Sequence, residues 1–410
     1  MSERETGAAA AAVVATGGHR DAEPFRGGGR AIVVALLVAA VGAAGFVAAL
    51  FVDARQALAG YLIAYFFVVT VLVGLLAFVM GAHVMNAAWP TTVRRLCELA
   101  TGAMPLVVVL YVPLFWSASR LYPWAHPERI ADAHIRGLVE HKRALMNAPF
   151  FYGRAVAYLV LFTVVAELLR RWSLAMDRLE PPDLKPRLRA FSALLLPLVG
   201  LAGTFAAFDW TMSLSPDFYS TMYGLYVLSG GFVASVGLLA IMTACAQRAG
   251  WLLHVERSHW YALGRLLFAF LIFWAYTGFF QYMLIWIANK PVEARFFVER
   301  IKPGDRWTSW FLVYGHFLAP WLILLSYAVK RHRFSVTAMG AWILACHYID
   351  VHWLVGADRG GTHPWRWEDA PALLFIGGAT VAFALWRQRG QLLTAYYDPD
   401  FVEGAHYESR

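Results

Sequence analysis

The 410-residue chain is a succession of apolar runs separated by short clusters of charge. Most runs last about twenty residues, the length at which a helix rising about 1.5 Å per residue crosses a hydrocarbon core of about 30 Å. They predict spans at 31–52, 60–82, 103–119, 152–172, 190–208, 222–246, 259–287, 308–329, 335–355 and 371–388. The third is short and holds Pro105 and Pro113, and the seventh is long enough to tilt or project from the bilayer. Strands of alternating apolar and polar residues are absent, which excludes a membrane β-barrel. The expected fold class is all-α, a polytopic membrane protein of about ten transmembrane helices.

Three stretches stand apart from the spans. Residues 1–30, rich in Ala and Gly and ending near Gly27-Gly28-Gly29, read as a flexible tail. They lack the charged, apolar, small-residue order of a cleaved signal. Within the transmembrane domain, 31–395, the segment 122–149 scatters Ile130, Ile135, Leu138, Leu145 and Met146 among charges. That pattern predicts a surface helix lying on the membrane or on a partner subunit. Residues 396–410 form a polar, aromatic tail that docks or frays. No internal repeat is visible, so an inverted-repeat transporter gains no support from the pattern.

Composition agrees with the pattern. Sixty per cent of residues are apolar and 15% charged, against roughly a quarter charged in soluble domains. The 17 Trp and 18 Tyr suit the membrane–water interface. Cys97, Cys245 and Cys346 are far apart with no CxxC, which argues against a thiolate-held zinc or iron–sulfur site. The net charge of +8 sits beside spans, so it points to anionic lipid rather than nucleic acid. With the N-terminus cytoplasmic, twenty Lys and Arg fall on the inner side and thirteen on the outer, with Arg154 and Arg265 inside spans. This bias puts both termini in the cytoplasm.

Ionisable groups inside a membrane are costly and are functional suspects by default. In this orientation Asp209, Gln281, His316, His347, Asp350 and His352 all lie toward the outer face. At about 100° per residue His347 and Asp350 share a helix face, while His352 points nearly opposite Asp350. One reading is a polar pocket or proton half-channel of His316, His347, Asp350 and Gln281, with Asp209 at its outer rim. A His–carboxylate pair passes protons near neutral pH. The other reading is that these groups only bond one another and fix packing. His83, Asn86 and Glu167 lie at the inner ends of the second and fourth spans. They read as the inner mouth of a second path or as interfacial groups reaching water.

A haem held between helices needs facing His residues at one depth, and only His316 with His347 qualifies. A His–Asp hydrogen bond explains the same residues. The run Phe273-Trp274-Ala275-Tyr276 has the character of a quinone-sized groove, or of a core or lipid-facing stripe. No phosphate loop, nucleophile elbow or zinc motif is present.

Four stretches carry a family resemblance. They are FDWTMSLSPDFYSTMYGLYVLSGGFVAS (208–235), FWAYTGFFQYMLIWIANKP (273–291), YGHFLAPWLILLS (314–326, then Lys330-Arg331) and HYIDVHWLV (347–355). Together they resemble the second polytopic membrane subunit of alternative complex III, a quinol:cytochrome c oxidoreductase. This is the ActF type, NrfD-like in the manner of polysulfide-reductase membrane subunits and often labelled quinone-binding subunit two. The resemblance runs through spans two to nine in order.

It implies two four-helix bundles, spans 2–5 and 6–9, plus two flanking helices. It implies a bacterial inner-membrane assembly that oxidises menaquinol or ubiquinol and passes electrons to a cytochrome c or a terminal oxidase. Haems c and iron–sulfur clusters would sit in partner subunits, with no redox centre in this chain. A larger paralogous NrfD-like subunit would hold the better-supported quinol pocket. Gln281, His316, His347 and Asp350 fall within the matched stretches, so the family's proposed proton path carries onto them. The rival classes are a secondary transporter or channel and a purely structural scaffold.

Overall fold

A computed structural model describes residues 21, 23–177, 184–302, 305–359 and 365–409. Among the described residues the chain is all-helical, with ten helices long and apolar enough to cross a membrane. They are α1 (Gly29–Val52), α2 (Ala54–Val84), α3 (Arg94–Trp116), α4 (Ala148–Ala175), α5 (Leu184–Trp210), α6 (Met222–Arg248), α7 (Arg257–Ala288), α8 (Arg306–Leu325), α9 (Arg333–Gly356) and α10 (Asp369–Gln388).

Two of the ten are interrupted, each at proline. In α3 a helix ends at Thr101, another begins at Met104 with Pro105 in its first turn, and a 3-10 turn opens at Val112 before Pro113. Proline offers no N–H to the preceding turn and is tolerated only where that donor is not needed. In α8 the stretch Leu312–Leu318 is a π-helix that ends just before Pro320. The missing N–H of Pro320 removes the α-helical partner of the His316 carbonyl. The wider π turn absorbs this. The helix then breaks at Ser326, short of the expected end at 329.

The ten helices sort into two rings of four and a pair. In the first bundle α2 packs on α3 and α5, and α4 packs on the same two. In the second α6 packs on α7 and α9, and α8 packs on the same two. Helices α1 and α10 pair with each other and lean on α2. Helix α2 is therefore the hub, 89% buried over its most apolar stretch, and the bundles meet where α2 crosses α6 and α9.

Small residues make the close crossings. A Cβ on Gly231 of α6 would stand 2.8 Å from the Thr70 carbonyl of α2, and one on Gly340 of α9 would stand 2.8 Å from the Gly237 carbonyl of α6. Small side chains at such crossings let backbones approach without lipid between them. Gly340→Ala must therefore push α9 off α6. The expected loss is about 1–3 kcal/mol, read as a lower melting temperature in detergent or nanodiscs. A melt unchanged from wild type would mean that the crossing is looser than described.

The ends of the chain are docked. Residues 1–20 and 22 of the expected flexible tail lie outside the described residues, but its last part is fixed. Asp21 is buried and accepts from the Leu252 N–H at 2.8 Å, and Phe25 and Gln391 pair through their backbones. The C-terminal tail also docks rather than frays. Phe401 is buried in a short helix, Phe401–Ala405, which packs on the 3-10 turn Trp89–Thr92, and His259 donates to the Gly404 carbonyl. The surface helix expected across 122–149 is shorter than its pattern suggested. Only Ala133–His141 is a helix of more than one turn, capped by Asp132, with 3-10 turns at Pro123–Ala125 and Pro127–Arg129. Pro123 and Pro127 keep the earlier residues out of a continuous helix.

Candidate functional site

The second bundle and its seam with α2 enclose a file of polar side chains. Helix α7 contributes Trp274, Thr277 and Gln281 at spacings of three and four, which stack on one helix face. Helix α6 contributes Ser220 just ahead of its start, then Tyr226 and Ser229. Helix α9 contributes His347 and Asp350, one turn apart and on one face as their spacing predicts. All are buried except Ser220, which is part-buried.

The contacts run from one end of α7 toward mid-bundle. Ser220 Oγ donates to Gln281 Oε1 at 3.1 Å. One helical turn deeper, the Ser229 and Thr277 hydroxyls are 3.3 Å apart. Asp350 then receives two donors, the Tyr226 hydroxyl on Oδ1 and Trp274 Nε1 on Oδ2 at 3.1 Å. His347 Nδ1 stands 4.0 Å from Asp350 Oδ2, and His347 Nε2 is 2.9 Å from the Thr70 hydroxyl of α2. The glycine at 230 makes room, since a Cβ there would meet Trp274 at 3.1 Å and His347 Nδ1 at 3.2 Å.

His316 joins through an aromatic contact. Its ring lies on the Trp274 indole, with centroids 3.9 Å apart, in the π-helical part of α8. Both ring nitrogens are buried without a hydrogen-bond partner among the described residues. The neighbouring Gly315 carbonyl is taken by Trp342 Nε1 at 2.8 Å. A π turn leaves carbonyls of the wider turn in need of such donors, and single π turns recur at functional sites. Trp274 thus links His316 to Asp350. Among the described residues no group of three His, Cys, Asp or Glu converges as a metal site.

Of the residues expected in one cluster, His316, His347 and Asp350 do come together, and Gln281 continues the same file toward the end of α7. Asp209 is elsewhere. It lies in the first bundle, where Arg154 of α4 grips it with two hydrogen bonds of 2.7 Å and the Tyr158 hydroxyl adds a third at 3.0 Å. Bidentate pairing of this kind satisfies a carboxylate and fixes its geometry. His352 is on the far side of α9, as its spacing requires. It bonds Asp369 of α10 at 3.2 Å and stacks flat on Trp365, while Arg359 holds the other Asp369 oxygen at 2.6 Å.

The expected inner mouth also divides. His83 and Asn86 line a cavity with Thr91, Arg94, Lys185 and Asp398. His83 is buried there rather than reaching water. Glu167 is not part of that cavity, and instead bridges Arg171 on its own helix and Arg387 of α10. Arg94 and Arg95, which fall between the second and third expected spans, lie in the first turn of α3 and are buried. Arg94 binds Glu98 and Asp398, while Arg95 binds Glu98, the Ser173 carbonyl and Asp177. Burial alone would raise the Asp398 carboxyl, but the Arg94 guanidinium and the Asp400 N–H hold it below its ordinary value.

Sequence reasoning missed Ser220, Tyr226, Ser229, Thr277 and Thr70 as members of the file, and it singled out Trp274 only within the aromatic run 273–276. Tyr226 was visible only as an aromatic residue in an apolar run. Thr70 is a single hydroxyl in a Val-rich helix, and no local signal marks it. No protein-family model matches the chain, and no curated protein matches it.

Proposed function

We propose that this chain is a membrane subunit of a quinol-oxidising respiratory assembly, without a redox centre of its own. It anchors the assembly and carries protons along the second bundle, close to where quinol is handled. The observation that carries this reading is the buried file from Gln281 to His347 and Thr70. It sets three groups of contacts along one face of α7, Ser220 with Gln281, Ser229 with Thr277, and Tyr226 and Trp274 with Asp350, which stands 4.0 Å from His347. Buried ionisable groups are costly in a membrane and persist where they serve a path. Its α6–α9 members also fall within the four stretches that resemble the alternative complex III subunit. The two rings of four helices with a flanking pair agree with the architecture that the resemblance implies.

The partners in this reading are a larger paralogous membrane subunit, a multihaem cytochrome c and an iron–sulfur subunit, with menaquinol or ubiquinol as donor. The location is a bacterial inner membrane with both termini cytoplasmic, following the Lys and Arg bias. A tagged chain extracted in mild detergent is expected to bring a multihaem cytochrome with it. Membranes lacking the chain are expected to lose quinol-dependent cytochrome c reduction. A chain that purifies alone, stable and free of haem partners, sinks the proposal.

One observation favours a second reading, a secondary transporter or channel. Helices α3 and α8 are both interrupted, and broken helices build ion and solute sites in many transporters. Solute flux into liposomes holding only this chain would establish that reading.

A further inference from the structure

The hydrogen bonds around His347 determine which of its ring nitrogens carries the proton. Thr70 Oγ1 lies 2.9 Å from two groups, the Phe67 carbonyl one turn back on α2 and His347 Nε2. A threonine hydroxyl has one proton. If that proton goes to the Phe67 carbonyl, the hydroxyl oxygen is left to accept from His347 Nε2–H. Both contacts are then hydrogen bonds, and Nδ1 is a bare lone pair. In the reverse arrangement Thr70 donates to Nε2 and the proton sits on Nδ1. There it has no partner within hydrogen-bond distance among the described residues. Either arrangement leaves Nδ1 without a partner, but the second also gives up the Thr70–Phe67 hydrogen bond and so makes one hydrogen bond fewer.

We propose that Thr70 holds His347 in the Nε2–H form, so that an unprotonated Nδ1 faces Asp350 and His347 loads and releases its proton only from the Asp350 side. The consequence for proton movement rests on the relay reading above, whereas the tautomer stands on geometry alone. In the loading step the O–H bond of a protonated Asp350 breaks and an N–H bond forms at His347 Nδ1. The products are a carboxylate and an imidazolium. Both charges are already provided for, the anion by the Tyr226 hydroxyl and Trp274 Nε1 and the cation by Thr70 Oγ1. Transfer needs the 4.0 Å between Nδ1 and Asp350 Oδ2 to close transiently, because in the resting geometry the two atoms stand beyond hydrogen-bond distance. On the far side the route closes. The Thr70 proton points at a backbone carbonyl, which accepts a hydrogen bond but does not carry a proton onward. Thr70 is thus a positioning residue, and α2 supplies the stop at mid-membrane.

The test is solid-state nitrogen NMR of the full chain in lipid bilayers, labelled at histidine, with His347→Gln used to assign the signals. Wild type and Thr70→Ser should each show His347 with a protonated Nε2 and an unprotonated Nδ1. Thr70→Val, which removes the acceptor, should lose that single tautomer and show both forms. A protonated Nδ1 in wild type, or an unchanged His347 spectrum in Thr70→Val, overturns the proposal. Because wild type alone can refute it, a poorly folding Val variant does not shield it. The relay reading fails separately. If the tautomer is as proposed but Asp350→Asn leaves proton uptake by the intact assembly unchanged, the relay is wrong and the tautomer assignment stands.

Discussion

Asp350→Asn in the intact assembly is expected to cut proton uptake through the second bundle by roughly 10²-fold or more, while the chain still inserts and assembles. Asparagine matches the shape of aspartate but does not hold a transferable proton. Its carbonyl still accepts from Tyr226, yet its NH2 then meets Trp274 Nε1, donor against donor. One buried N–H is left unpaired, at about 1–3 kcal/mol. The variant should therefore be mildly destabilised and functionally dead, a split that separates chemistry from packing. Proton uptake by the intact assembly in proteoliposomes and the melting temperature are the two measurements. Normal proton uptake and turnover would leave the polar file as packing, and the chain as a scaffold.

Arg94→Met should produce the largest loss of stability, about 3–5 kcal/mol. Arg94 is 4% exposed and ties α3 to the C-terminal tail, binding Glu98 at 3.0 Å within α3 and Asp398 of the tail at 2.8 Å. Methionine fills similar space without charge, so Asp398 and Glu98 stay buried with one cation fewer. The loss should depend on pH in a definite direction. The folded Asp398 titrates below its ordinary value in wild type, so its stabilising effect is present above about pH 4 and fades as pH falls through the folded value. The gap between wild type and variant should shrink on acidification as the unpaired carboxyl takes up a proton. Thermal melts across pH, with limited proteolysis of the tail, measure this. A variant within about 0.5 kcal/mol of wild type at neutral pH would show the network to be solvated and dispensable.

The limits of sequence reading show clearly in Asp209 and Gln281. Counting residues from the ends of spans places both near one depth. Depth is one coordinate of three. Which bundle a helix joins, and which way its face turns within it, depends on contacts between segments hundreds of residues apart. Asp209 turned out to serve Arg154 in the first bundle, whereas Gln281 lies in the file. Spacing within one helix was more dependable. His347 and Asp350 do share a face, and His352 does point away to Asp369. The residues read as an inner mouth divide for the same reason as Asp209, since His83 and Glu167 end up in different contacts.

The sequence by itself determined the ten spans, the absence of strands among the described residues, and the breaks foreshadowed by Pro105 and Pro113. These are local properties, because a run of about twenty apolar residues has few alternatives to a helix once it enters lipid. It also determined which two polar side chains of α9 would share a face. Only the tertiary structure decided that α2 sits at the hub, that Gly230, Gly231 and Gly340 let α6 meet its neighbours, and that Thr70 touches His347 from 277 residues away. No periodicity records such a contact. It arises when two bundles close on each other, and a lone hydroxyl then becomes the partner that fixes a proton.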